Sequence, residues 1–209
     1  MSFYPENHLN LEELIAHFQS SPLEGEEYAS IYYPEVALLI RQQGEAGIAF
    51  LWREIDRADT ERLRAILFAL TVPPLEDHTI GDRLLSYLHD ERPSIVAEAV
   101  DSLCRLGAQD TANQVLPLLQ HPSGYVRGSV LRFMSRLHPD KAYPLLIEAL
   151  EDPNFIVREN AADELGELDG AEAIPYLRPL LADSHSDVRQ AVQTAIAMLE
   201  ESESDKVIH

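Results

Sequence analysis

Four positions spaced 31 residues apart constrain this chain more than any other feature. With Ile95, Val126, Val157 and Val188 as position zero, plus four holds Ala99, Val130, Ala161 and Val192, and plus eight holds Leu103, Met134, Leu165 and Ile196. Plus eleven holds Leu106, Leu137, Leu168 and Leu199. Upstream, minus seven holds Leu88, Leu119, Leu150 and Leu181, and minus eleven holds Leu84, Val115, Leu146 and Leu177. Steps of four, four and three follow one stripe of a helix with 3.6 residues per turn, and the upstream pair follows a second stripe. Each copy therefore predicts two amphipathic helices.

Between the two helices of a copy stand "HDERPS", "QHPSGY", "EDPNFI" and "ADSHSD". These are rich in residues that start helices. The copies are joined by "GAQD", "HPD" and "LDGAE", short connections that make neighbouring helices antiparallel. A single helix pair cannot bury its own apolar stripe, so the copies must stack. The predicted fold is all-α, a right-handed α-solenoid of stacked antiparallel helix pairs.

The repeat also carries charge in register. Plus one holds Val96, Arg127, Arg158 and Arg189, and minus five holds Asp90, His121, Asp152 and Asp183. Arg127, Arg158 and Arg189 near the helix starts, with Asp90, Asp152 and Asp183 in the turns, predict a structural ladder of ion pairs within or between copies.

The periodicity occupies residues 81–200. Upstream, "IAFLWREIDRADTERLRAILFAL" at residues 48–70 reads as a degenerate copy, with Leu63 and Arg64 standing 32 residues before Ile95 and Val96. "NLEELIAHFQ" opens a helix with Asn10 and Glu13 at capping-box spacing. "YPEVALLIRQQGEAG" predicts another, started by Pro34 and closed by Gly44. "TVPPLEDHT", residues 71–79, is the expected irregular connection. Residues 1–80 are thus expected to form a helical cap continuous with the array, and 201–209 an acidic, frayed tail.

The copies "DPNFIVRENAADELGELD" and "DSHSDVRQAVQTAIAML" resemble the HEAT-like repeats first described in phycobilisome lyases. The resemblance implies the solenoid and leaves function open, because such repeats serve scaffolds, adaptors, immunity proteins, bilin-attachment factors and some enzymes. The repeat also resembles that of deoxyhypusine hydroxylases, in which His-Glu dipeptides hold two irons. This sequence contains no His-Glu dipeptide, no HExxH and no paired-Cys spacing. His121 and His185 are expected in solvated turns, and Cys104 as an inert thiol at a core edge. No cofactor is called for, although a subunit of a bilin lyase, or another chromophore-handling factor, stands as the enzymatic alternative.

A formal charge of −20 opposes binding to DNA and to anionic membranes. With a single cysteine, no export-type leader and no long apolar run, the expected location is cytoplasmic. Residues 142–209 hold 15 Asp and Glu against four Arg and Lys, which favours a basic protein partner or simply a solvated face.

In stacks of this kind the second helices line the concave face, where plus six, seven and ten place Arg132, Phe133 and Arg136 opposite Asp163, Glu164 and Glu167. Two Arg around an aromatic residue suit protein recognition. The other reading turns Phe133 into the core and pairs both Arg with acidic neighbours. Tyr125 and Phe155 offer an apolar edge or cap the core, and Tyr28, Tyr32 and Tyr33 divide between interface and core. The expectation is a noncatalytic scaffold or adaptor, binding through the concave face or the acidic C-terminal end, with an immunity or inhibitor role toward a basic protein as its sharper form.

Overall fold

The computed structural model describes residues 9–21, 25–73, 79–168 and 170–208, and the side chains of all of these except 25–27 and 203–208. Every regular element among them is helical. The chain divides into two compact units, Met1–Leu106 and Gly107–His209. That division falls inside the array, whereas residue 80 marks where the repeat phase begins.

The first unit contains α1 (Leu11–Gln19), α2 (Gly25–Arg41), α3 (Glu45–Glu54), α4 (Thr60–Thr71), α5 (Gly81–Tyr87) and α6 (Pro93–Arg105). The capping box forms at α1: Asn10 Oδ1 accepts from the Glu13 amide at 3.1 Å, and Glu13 Oε2 accepts from the Asn10 amide at 2.9 Å. The other end of α1 is closed by Arg62 of α4, which donates from Nε to Phe18 O at 2.6 Å and from Nη2 to Ser20 O at 2.8 Å. These carbonyls have no intrahelical donor, and a cation there also suits the helix dipole. The same guanidinium lies 4.5 Å over the Tyr33 ring, which meets Phe18 edge-on.

Pro34 does not start a helix. It lies inside α2, so the segment with Tyr28, Tyr32 and Tyr33 is helical as well. Proline cannot donate to the carbonyl four residues back, but that residue, Ser30, is exposed, so the loss falls on the outer face. Gly44 does turn the chain after α2, at φ +72°, where a side chain would be strained. Of the expected irregular connection, residues 74–78 lie outside the described residues.

The second unit contains α7 (Ala112–Val115), α8 (Gly124–Leu137), α9 (Pro139–Ala149), α10 (Phe155–Glu167), α11 (Ile174–Leu177) and α12 (Ser186–Ile208). The short helices α7 and α11 are each flanked by 3-10 segments, while α9 is continuous. Position minus nine accounts for the difference. It holds Pro117 and Pro179 in the broken copies and Glu148 in the continuous one. A proline there removes one α-type bond, and the chain tightens into 3-10 turns instead. The tail expected to fray from residue 201 is helical through Ile208, as its lack of Pro and Gly permits.

The stripes pack as their spacing requires. Position minus eleven is fully buried in all copies, as Leu84, Val115, Leu146 and Leu177. So are Ile95, Ala99 and Leu103 on α6, with Val126, Val130 and Met134, and Val157, Ala161 and Leu165, on α8 and α10. Each such Leu or Val contributes roughly 1.5–3 kcal/mol by leaving water. The last copy is looser, with Val188 and Val192 buried and Ile196 half-buried.

Candidate protein-binding face

The charged register forms a ladder in the second unit. Arg127 grips Asp152 of the next copy through Nε to Oδ2 at 2.9 Å and Nη2 to Oδ1 at 2.7 Å. Arg158 grips Asp183 in the same way, at 2.8 and 2.9 Å. In both, Nη1 points back into its own turn, with Arg127 binding His121 O at 2.7 Å and Arg158 binding Asp152 O at 2.8 Å. Arg189 makes only the inner bonds, to Asp183 O at 2.7 Å and Ser184 O at 3.2 Å. Asp90 instead pairs with Arg92, two residues away, through both carboxylate oxygens at 2.8 Å.

Position minus five has a second duty in every copy: it accepts the amide two residues on. Asp90, Asp152 and Asp183 do so with a carboxylate oxygen at 2.8–2.9 Å. His121 substitutes its Nδ1, receiving the Ser123 amide at 3.0 Å. His121 can thus keep the turn without supplying a rung, and Val96 supplies none either.

Position seven is a packing position. Ser102, Phe133, Glu164 and Ala195 are all buried there. Phe133 therefore takes the core alternative and cannot meet a partner; its ring lies 6.0 Å from that of His138. Glu164, equally a candidate for the face, is buried too. The signal was in the spacing: seven residues are nearly two helical turns, so position seven shares the azimuth of position zero. Burial raises the Glu164 carboxyl above its ordinary value, opposed by the Ser135 hydroxyl and by Arg136 and Arg132. Arg132 reaches across from α8, donating from Nη2 to Asn160 Oδ1 at 2.7 Å, with Nε 3.6 Å from Glu164 Oε1. Gly128 leaves room for this, because a Cβ there would stand 3.1 Å from the Asn160 side chain.

Arg136, Asp163 and Glu167 remain exposed, and the half-buried Glu159, not singled out from sequence, lines up with the last two. Glu159, Asp163 and Glu167 stand four apart on α10, forming one acidic row along its outer face. Desolvation raises the carboxyl of Glu159, and Asp163 and Asp187 push it further. Asp163 is also raised by desolvation, with Arg132 pulling it down and Glu167 pushing it up. The spacing of the row was legible, but plus two did not stand out because the other copies hold Ala97, Gly128 and Gln190 there.

The aromatic candidates separate. Tyr125 is 66% exposed at the start of α8, while Phe155 is half-buried and stacks on His185 with ring centroids 3.5 Å apart. Tyr33 is core, Tyr32 is half-buried with its hydroxyl 2.9 Å from His17 Nδ1, and Tyr28 is exposed beside Ile31. In the first unit Arg105 pairs with the largely buried Glu98 and donates from Nη2 to Ser102 Oγ at 2.8 Å and from Nε to Thr71 Oγ1 at 3.1 Å. Cys104 is half-buried. Among the described residues no group of three or more His, Cys, Asp or Glu could hold a metal ion, and no helix is long and apolar enough to cross a membrane.

A family model for HEAT repeats matches residues 81–151 and 113–197. The chain is 32% identical over 127 residues to coatomer subunit beta-1 of Oryza sativa subsp. japonica, covering 58% of this chain and 12% of that protein. It is 27% identical over 187 residues to a deoxyhypusine hydroxylase of Candida albicans, covering 84% of this chain and 59% of that protein. In fold it is similar to a chain of the complex of CpcE and CpcF of phycocyanin lyase from Nostoc sp. PCC7120, at TM-score 0.52 and 21% identity over 90% of this chain and 82% of that one.

Proposed function

This chain belongs to the HEAT-repeat family, and from that premise we propose that it is a noncatalytic scaffold whose second-helix face on α10 takes a basic segment of another protein. The observation that carries the reading is the row Glu159, Asp163 and Glu167. Like charges four apart on a helix repel; burial raises the carboxyls of Glu159 and Asp163, and their acidic neighbours in the row push both further the same way. A solvated face could scatter its charges to avoid this; alignment serves a cation that lies along the helix. Arg136 and Tyr125 flank the row on α8 as contacts for the polar and aromatic rim of the same partner. The charge of −20 speeds capture of a basic protein, which gives an inhibitor or immunity role its physical basis.

A hydroxylase-type di-iron centre does not fit these residues, since the chain has no His-Glu dipeptide and no three of the described His, Cys, Asp and Glu are grouped so as to hold a metal ion. The likeness to a phycocyanin lyase chain carries the fold, and no residue of the row answers to a chromophore.

The test is calorimetric titration of the full chain with an octapeptide of alternating Lys and Arg, at low and at physiological salt. Binding should weaken at least about tenfold with salt and be lost in the triple variant Glu159→Gln, Asp163→Asn, Glu167→Gln. Binding that survives the triple variant, or a turnover by the purified protein, would sink this reading.

A further inference from the structure

The last rung of the ladder has half its partners. Arg189 is held inward like Arg127 and Arg158, its Nη1 on Asp183 O at 2.7 Å and Ser184 O at 3.2 Å. In Arg127 and Arg158 the other edge, Nε with Nη2, clamps the Asp of the following copy. In Arg189 that edge has no hydrogen-bond partner among the described residues. A planar fork already oriented by two carbonyls loses little freedom on taking a carboxylate.

A second observation on the same unit agrees. Position minus seven is 3% exposed as Leu88, 4% as Leu150 and half-buried as Leu119, but 41% exposed as Leu181. Position plus five differs in kind. It is buried as Val100, Leu131 and Ala162, yet holds exposed Gln193 in the last copy. A permanently packed repeat would bury an apolar residue there. An amide one helical turn from an open guanidinium, in a copy that also exposes a Leu, suits a face that is sometimes covered and sometimes wet.

We propose that Arg189, Leu181 and Gln193 form a docking face for a separate protein that presents a helix beginning at an exposed Asp, so that its carboxylate completes the third rung. The rungs at Asp152 and Asp183 specify that chemistry: a carboxylate that receives the Arg fork and caps its own turn. This face is independent of the acidic row on α10. It calls for an acidic contact where the row calls for a basic one.

The test places a photoreactive amino acid at position 181 of the full chain in its native cells and sequences the adducts. The expected result is an adduct with a different protein, on a peptide that opens a helix with Asp or Glu. Its yield should fall about tenfold in Arg189→Lys, which keeps the charge but not the fork, and stay unchanged in Arg178→Lys. Gln193→Glu, at an exposed position, is a second variant that should repel the same carboxylate. The adduct should also persist in the triple variant of the α10 row, so failure of one face is distinguishable from failure of the other. Absence of an adduct, an adduct joining two copies of this chain, or one indifferent to both Arg189→Lys and Gln193→Glu would overturn the proposal.

Discussion

Arg158 and Asp183 stand 25 residues apart and meet edge to edge, with two parallel bonds of 2.8 and 2.9 Å. Both side chains are mostly buried, at 14% and 10% exposure, so water screens the pair poorly. Arg158→Ala should cost about 2–3 kcal/mol, since it leaves a charged, partly buried carboxylate with only the His185 amide as donor. Arg189→Ala removes only bonds to carbonyls and should cost about 1 kcal/mol. Urea unfolding of the two variants checks the difference, and equal losses would mean the inner carbonyl bonds carry the stability.

The pH dependence has two limbs of opposite sign. Arg158 and Arg92 hold Asp183 and Asp90 below the ordinary 3.8. Between the lowered and ordinary values the unfolded chain binds more protons, so this stability is complete above about 3.8 and is lost as pH falls through the lowered values. Burial raises Glu164 and Glu98 above the ordinary 4.5. For these the folded chain binds more protons, so stability falls as pH rises from 4.5 through the raised values. The thermal midpoint should therefore peak in mildly acidic solution. Glu164→Gln should flatten the neutral limb and Asp183→Asn the acid limb; a neutral limb unchanged by Glu164→Gln would assign it to net-charge repulsion instead.

Gly166 and Gly81 predict opposite outcomes for one substitution. A Cβ at Gly166 would lie 3.0 Å from the Ala195 Cα and 3.1 Å from its Cβ, so α12 itself would have to move. Gly166→Ala should destabilise by about 1–3 kcal/mol despite the better helix former. A Cβ at Gly81, the first residue of α5, would meet nothing within 4 Å. Gly81→Ala should be neutral or stabilising by up to about 1 kcal/mol, as denaturation midpoints would show.

How much of this was legible follows from repetition. Four copies of one stripe fix the packing positions, because an accident in one copy is outvoted by the others, and the Arg and Asp register is legible for the same reason. The N-terminal helices have no copies to compare, so Pro34 reads as a helix start although α2 runs through it. Phe133 shows a different failure: its residue type suggested recognition, while its spacing from Val126 already placed it inward. The stack of Phe155 on His185 depends on side-chain rotamers 30 residues apart, which no local pattern specifies. The raised carboxyl of Glu164 comes from a burial that outweighs the lowering by Ser135, Arg136 and Arg132, a balance set by neighbours on another helix.

The acidic row sets stability against binding. Each i to i+4 pair of like charges costs a helix about 0.2–0.5 kcal/mol, and Asp187 adds to the repulsion at Glu159. Arg132 offsets part of this at Asp163. Neutralising Glu159, Asp163 and Glu167 together should therefore raise stability by about 0.5–1 kcal/mol at low salt, and the gain should shrink as salt screens the row. The same variant should lose the basic octapeptide. Matched urea titrations at two salt concentrations measure the first effect and calorimetry the second. A triple variant less stable than the parent would mean the three carboxylates are held by attractive contacts, and the row would then be a structural feature with no need of a cationic partner.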